Sequence, residues 1–331
     1  MKVTLTDVAR SVGLSAATVS RAISAPERVN AVTRQRVLEA AHELGYAHPG
    51  NTRPAAAAGG PLGLIVPDIV NPFFPPIIKA VQSRAAARGR TILIADIDEH
   101  PHDELRRAEE LSDQVDGLIV VSARTPEDKL DRLLALQPLV LVNRSNPAVA
   151  SVLIDERAGI SEAVEHLAAL GHRKICYLNG PRRSWSNGQR QQAVRSAAKD
   201  AGLELVEFGP FEPQIQAGVR AADLVVASSA TAVIAYDDMI ALGVMTRMNE
   251  RGMKVGEQLS VIGVDDSLMS GMAYPSLTSI HVPGAEAGMT AVDLLIDLIE
   301  TKSDPAASER STSTLDTRLV VRASTAAPPA V

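Results

Sequence analysis

Two sets of side chains in this sequence have the types and spacing to do chemistry. The first lies in Leu5 to Ser24, LTDVARSVGLSAATVSRAIS. Thr6 and Asp7 open one helical stretch: a hydroxyl there can accept a free backbone N–H, and a carboxylate suits the positive end of the helix dipole. Val8, Ala9 and Val12 recur at helical spacing and give that stretch an apolar face. Gly13 supplies a turn, where a positive φ costs a glycine nothing. Ser15 then caps a second stretch, from which Ala17, Thr18 and Arg21 can project. Two short helices about a tight turn have helix-turn-helix layout, and the second is available for a DNA major groove. A generic helical hairpin is the alternative on this stretch alone.

The second set is dispersed along the chain. It comprises Asp68 to Phe74, Asp96, Ser122, Asn143–Arg144, Asp155, Asn179 to Trp185, Tyr236–Asp238 and Asp265–Asp266. Each group follows a short apolar run. Carboxylates, amides and hydroxyls gathered in one cleft can fix a small polar molecule by hydrogen bonds. Large aromatics are scarce, four Phe and one Trp, yet Phe73, Phe74, Trp185 and Phe211 all stand near such points. Flat rings there can stack on a sugar or a base, or they can pack the contact between two lobes. One of Phe73 and Phe74 is expected to point into a core.

The elements that must position these residues alternate. Apolar runs suited to strands lie at Leu62–Val66, Thr91–Ala95, Gly117–Val121, Leu139–Val142, Val152–Ile154, Lys174–Leu178, Ala232–Ala235, Val261–Val264, Ser279–His281 and Leu319–Arg322. Helical patterns lie at Pro75–Ala87, Asp103–Gln114, Ala158–Leu170, Gln189–Ala201, Asp238–Arg251 and Gly284–Glu300. Such alternation predicts parallel sheets covered by helices on both faces. The strands are too many for one comfortable sheet, so two similar Rossmann-like lobes are expected. Ligands of open α/β sheets bind outside the carboxyl ends of the strands, which is where the second set falls. A third helix reads from about Asn30 to Leu44. The stretch His48 to Pro61, HPGNTRPAAAAGGP, reads as a linker.

Composition narrows the function classes. The chain has 331 residues, 46% hydrophobic and 22% charged, with net charge −6. The charge is uneven. Residues 1–60 carry seven basic side chains against four acidic ones, so the acidity belongs to the rest of the chain. A basic head on an acidic body suits a protein that touches phosphate at one end only. The single cysteine, Cys176, lies in an apolar run and excludes an internal disulfide or a multi-cysteine metal site. The seven histidines have no metal-ligand spacing. There is no nucleophile elbow, Walker loop or dinucleotide-binding glycine motif. No catalytic residue, metal or cofactor is therefore assigned. No segment reaches the roughly 20 apolar residues of a membrane span, and no signal-peptide pattern is present; a cytoplasmic location is expected.

Taken together, the motifs resemble those of the lactose-repressor (LacI/GalR) family of transcription regulators. The head, VTLTDVARSVGLSAATVSRAIS…VNAVTRQRVLEAAHELGY, resembles that family's DNA-binding domain. LGLIVPDIVNPFF, EAVEHLAALGHRKICYLNGP, YDDMIALGVM, LSVIGVDDS, PSLTSIHVP and LDTRLVVRAST match later landmarks in the same order. The resemblance spans residues 2–325. It implies an all-α helix-turn-helix head on a two-lobed, periplasmic-binding-protein-like α/β core that dimerises. It also implies a small molecule between the lobes that alters the affinity of the heads for a palindromic double-stranded operator. By position, Ala16, Ala17 and Arg21 would read bases, arginine donating to guanine O6 and N7. Thr6, Ser15, Thr18, Ser20, Asn30 and Thr33 would contact phosphate or cap helices. Asn71, Phe73, Phe74, Ser122, Asn143, Trp185, Arg190, Phe211, Asp237 and Asp265 form the expected effector site. One arginine with two carboxylates suits a sugar; a nucleoside, purine or other small metabolite is the alternative.

The hinge departs from the family. Arg53 matches, but Pro54 and Ala55 stand where the family has Ser-Leu. Alanine is a poor wedge for a base step, so operator affinity is expected to depend less on the central step than is usual. The expected domains are 1–46 (helix-turn-helix), 47–61 (hinge or linker), 62–325 (effector-binding and dimerisation) and 326–331 (disordered tail). The helix after Asn71, with Ile77, Ile78 and Val81, is a candidate dimer face. An α/β enzyme or a transport binding protein on the same scaffold are the competing readings.

Overall fold

The structure, a computed structural model, describes residues 4–24, 29–30, 33–37, 40, 59–136, 138–300 and 312–329. The chain divides into two compact units, Met1–Gly59 and Gly60–Val331.

In the first unit, α1 (Leu5–Val12) and α2 (Ala16–Ser24) flank a turn at Gly13, whose φ is 67°. The cap of α1 is Thr4, not Thr6. The Asp7 carboxylate accepts from the Thr4 backbone N–H at 2.9 Å and from its hydroxyl at 2.6 Å. Those bonds, the hydroxyl's first, hold the Asp7 carboxyl below its ordinary range. Ser15 caps α2, accepting from Thr18 N at 3.1 Å. Val8, Ala9, Val19, Ala22 and Val37 close a small core. Residues 33–37 are helical, as expected of the third helix. Arg53, Pro54 and Ala55 lie outside the described residues.

The second unit holds two sheets. The first has strand order β11-β5-β4-β3-β1-β2, formed by Thr312–Asp316, Ala150–Asp155, Leu139–Val142, Leu118–Val121, Leu62–Val66 and Ile92–Asp96, all parallel. The second has order β12-β10-β9-β8-β6-β7, formed by Arg318–Val320, Thr278–His281, Ser260–Asp265, Ala232–Ala235, Lys174–Leu178 and Glu204–Phe208. Only β12 is antiparallel to its neighbour. Central strands such as LIVV, LVLV and AVIA are buried along their whole length, which is why they read as continuous apolar runs.

The helices are α3 (Phe74–Ala87), α4 (Pro101–Ser112), α5 (Glu127–Leu134), α6 (Glu156–Ala169), α7 (Trp185–Asp200), α8 (Ile215–Ala227), α9 (Asp238–Glu250), α10 (Leu268–Met272) and α11 (Gly284–Glu300). The sequence pattern missed β7, β11, α5, α8 and α10. Helices α8 and α9 cross at Gly218 and Gly243, where a Cβ on Gly218 would lie 2.0 Å from the Ile240 carbonyl oxygen.

The chain passes between lobes three times, and two of the passages are tied together. Thr317 Oγ1, just after β11, donates to the Asp155 carbonyl at 2.8 Å and accepts from Gly159 N at 3.1 Å. Helix α11 leaves the second sheet and packs on the first.

Two expectations change. Ile77, Ile78 and Val81 are buried within the chain, with Ile77 and Val81 against Gly284 and Gly288 of α11. That stripe is intramolecular packing rather than a free dimer face. Ala326, assigned to the disordered tail, is held: its carbonyl takes hydrogen bonds from His172 Nε2 and Ser260 Oγ, at 3.0 and 3.1 Å.

Candidate functional site

Three helices begin at the carboxyl ends of strands and are capped by side chains at the interlobe cleft. Asp155 accepts from Arg157 N ahead of α6, Ser184 from Asn187 N ahead of α7, and Asp237 from Ile240 N ahead of α9. A cap of this kind satisfies a helix-end N–H and is worth about 1 kcal/mol. It also fixes the direction of the residues around it. Glu156 enters the cleft beside Asp155, Arg190 lies in the second turn of α7, and Asp237 lies at the head of α9.

Arg190 is the hub. It is 3% exposed. Its Nε and Nη2 both donate to Glu156 Oε1, at 3.0 and 2.9 Å. Its Nη1 donates to the Tyr236 carbonyl at 2.5 Å, and its Nη2 lies 3.6 Å from Asp265 Oδ1. The guanidinium also sits over the Tyr236 ring, 4.8 Å from the centroid. Burial acts to discharge Arg190, but Glu156 and Asp265 outweigh it and hold the group more firmly protonated than usual.

The carboxylates respond oppositely. Burial first, then Asp238, pushes Asp237 up to about 7, against the Ile240 N–H, Arg190 and Asn71. Burial also raises Asp265 well above its ordinary range, with Asp237, Asp238 and Glu156 adding to the rise and Arg190 opposing it. Asp238 is raised by burial although Ser270, Ser279 and the Ser267 N–H all donate to it.

In the other lobe, Arg124 is clamped by Glu99 through two bonds of 2.7 and 2.8 Å, and donates to the Ser122 carbonyl at 2.6 Å. Glu104 accepts from Arg124 N, Thr125 N and the Thr125 hydroxyl.

Eight of the expected effector residues line one cavity in this cleft: Asn71, Phe73, Phe74, Ser122, Asn143, Arg190, Asp237 and Asp265. Phe73 and Phe74 meet edge to face at 5.1 Å. Phe74 is the one that enters the core, as the pairing suggested. Trp185 and Phe211 do not join them. Trp185 is half-buried at the start of α7, and Phe211 packs on the second lobe's core beside Phe208.

Tyr236, part of the strand-end set though not of the expected effector site, joins the lining, and sequence reasoning missed Glu99, Arg124, Ser186 and Pro213, which complete it. Arg124 stands two residues past Ser122, so a wider window at that strand end contained it. The free space between these groups is about 20 Å3, room for about one water molecule. A sugar therefore enters only if the lobes part or the side chains move.

The backbone at this site carries strain. Glu99, Ser122, Asn143 and Asp265 all have positive φ, at 54°, 48°, 56° and 110°. Non-glycine residues in such conformations cost roughly 1–3 kcal/mol each and gather at functional sites. Here they aim side chains from both lobes into one space.

In the head, Thr6, Ser15, Ala16, Ala17, Arg21 and Asn30 are exposed, while Thr18, Ser20 and Thr33 are partly buried. Arg21 Nε rests on the Ala17 carbonyl of its own helix at 3.1 Å. Thr18 shares its hydroxyl with Ser15 at 2.9 Å. Residues 4–49 match the family model for bacterial regulatory proteins of the LacI type, and residues 164–325 match a periplasmic-binding-protein-like domain. Over 98% of this chain and 97% of the relative, the sequence is 32% identical to the HTH-type transcriptional repressor CytR of Escherichia coli K12.

The chain belongs to the LacI family. It is accordingly a transcriptional regulator rather than an enzyme, with a DNA-binding head and an effector-binding core. Among solved structures, the lac repressor dimer bound to operator and the anti-inducer ONPF matches with TM-score 0.74 at 27% identity, covering 99% of this chain and all of that one. The transcriptional regulator CelR in complex with cellobiose matches with TM-score 0.71 at 29% identity, covering 98% of this chain and all of that one. Among the described residues no helix is long and apolar enough to cross a membrane, and no group of three metal-ligating side chains occurs.

Proposed function

We propose that this LacI-family protein is a cytoplasmic repressor whose operator affinity is set by a sugar bound between its lobes. The cavity lining carries the proposal: buried acceptors and two buried guanidiniums from both lobes converge on one space. Carboxylates accept from sugar hydroxyls, and arginine donates to ring and hydroxyl oxygens. Phe73 and Tyr236 offer apolar faces for a pyranose. The cellobiose held by CelR supports the ligand class.

The working unit we propose is a homodimer on a palindromic operator. On α10 and just beyond it, Leu268, Met272 and Tyr274 are 81%, 76% and 94% exposed. Large apolar side chains grouped in this way mark a contact surface, and a two-fold dimer presents two heads to two half-sites. Binding indifferent to the loss of one half-site would contradict the dimer.

A thermal-shift screen of sugars, polyols and nucleosides tests the ligand site. A ligand at a hundred times its Kd stabilises the protein by about 2.7 kcal/mol. The expected hit is a sugar, and its shift should disappear in Asp265→Ala and Arg190→Ala. Full affinity retained in both variants would place the ligand elsewhere.

A further inference from the structure

Resting on the proposed reading of the cleft, we infer that the effector is an aminated polyol, such as an amino sugar, whose ammonium group sits against Asp237 and Asp265. The argument begins with charge. Three carboxyl groups line the cavity, Glu99, Asp237 and Asp265, together with two guanidiniums, Arg124 and Arg190, and a fourth carboxyl, Glu156, is paired with Arg190. Glu99 clamps Arg124, and Glu156 takes two of the bonds of Arg190. Asp265 has only the longer 3.6 Å approach of Arg190. Among the described residues no cation is hydrogen-bonded to Asp237. Behind the lining, Arg144 donates to the carbonyls of Ala123 and Thr125. Asp237 and Asp265 are therefore the carboxyls of the lining without a cation hydrogen-bonded to them among the described residues.

The second observation is a set of buried acceptors without partners. Asp237 is 2% exposed; its Oδ1 caps α9, and its Oδ2 makes no hydrogen bond. Asn71 lowers its proton affinity but completes no bond to that oxygen. Asn143 Oδ1 and Glu156 Oε2 are likewise buried and unbonded. An unmet buried acceptor is unfavourable, more so when it is charged. Each of these atoms needs a donor, and Asp237 and Asp265 need a positive one. A neutral sugar supplies donors alone; an ammonium supplies three donors and the charge.

The test is calorimetric titration of the full chain with glucose, glucosamine and N-acetylglucosamine, and with the matching galactose series. An amino sugar is expected to bind at least tenfold more tightly than both its neutral parent and its N-acetyl form. In Asp237→Asn, which keeps the helix cap and loses the charge, that preference should fall below threefold. Equal or tighter binding of the neutral sugar, still lost in Arg190→Ala, would overturn the amine and leave the cleft reading standing. Amine binding unchanged in both Arg190→Ala and Asp237→Asn would overturn the cleft reading as well. No binding by any member of either series would overturn the amino-sugar inference.

Discussion

Replacing Arg190 with alanine is expected to destabilise the core by about 3–5 kcal/mol, the range for removing one partner of a buried ion pair. Glu156 is 2% exposed, and both bonds to its Oε1 come from Arg190. Without the guanidinium it keeps a buried charge and two unmet oxygens. Asp265 loses the nearby guanidinium at the same step. The Tyr236 carbonyl loses a donor, and the Tyr236 ring loses its stacked partner. The measurement is urea unfolding of the variant against the parent chain. The double variant Arg190→Met/Glu156→Leu should recover most of the loss, because apolar groups of similar volume remove the stranded charge. If Arg190→Ala unfolds at the parent's midpoint, the guanidinium is not what holds these groups together. If the double variant is no better than the single, the loss is one of packing rather than charge.

The second large effect is expected at the other end of the chain. Arg21→Ala should cost about 1–3 kcal/mol of operator affinity per half-site, the discrimination given by one bidentate base contact. Arg21 is exposed on α2, bonded among the described residues to the carbonyl of Ala17, and would exchange that bond for a base edge at little expense. Its neighbours Ala16 and Ala17 are exposed as well and offer apolar contact alone. Specificity at that base pair therefore rests heavily on one side chain. Arg21→Lys keeps the charge and loses the planar fork, so it should preserve the salt dependence while flattening the base preference. The check is a titration of palindromic duplexes in which one base pair at a time is varied at fixed salt. A loss spread equally over all duplexes, with a shallower salt slope, would make Arg21 a phosphate contact instead.

Much of the core was legible in the sequence, because parallel strands buried on both faces write themselves as short apolar runs. Leu62–Val66, Leu139–Val142, Lys174–Leu178 and Ala232–Ala235 are bounded in the structure as the pattern placed them. The two strands that escaped are edge strands. Glu204–Phe208 carries two glutamates in five residues, and Thr312–Asp316 carries Thr, Ser and Asp with one leucine. Neither needs to be apolar on both faces.

The cap of α1 was misplaced by two residues although its signature was present. Thr4 stands three residues before Asp7, the spacing of a capping box, and the acid was read without its partner. At the cleft, rules about strand ends located eight lining residues but not their directions. Trp185 and Phe211 satisfy the same rule, yet one lies half-buried at a helix start and the other packs inward. Ile77 and Val81 show the same limit. An apolar stripe records that a face is covered, and only the position of α11 shows what covers it.

The strained residues were not legible at all. Nothing in the types of Glu99, Ser122 or Asp265 announces a positive φ, which is imposed by the sheet ends that hold them. Those positions join the aim of the side chains to the relative placement of the two lobes. A ligand that requires the lobes to part, or the Arg190 cluster to rearrange, has the differential contacts that a two-state switch needs.

The central claim, that occupancy of the interlobe cleft sets operator affinity, is tested most directly by fluorescence anisotropy. Operator duplex is selected from random palindromes by the full chain. It is then titrated with and without a saturating sugar ligand whose binding depends on Arg190 and Asp265. The account predicts a change in operator affinity of about 5- to 150-fold, the usual span of allosteric coupling. Identical affinities with the cleft saturated would contradict it.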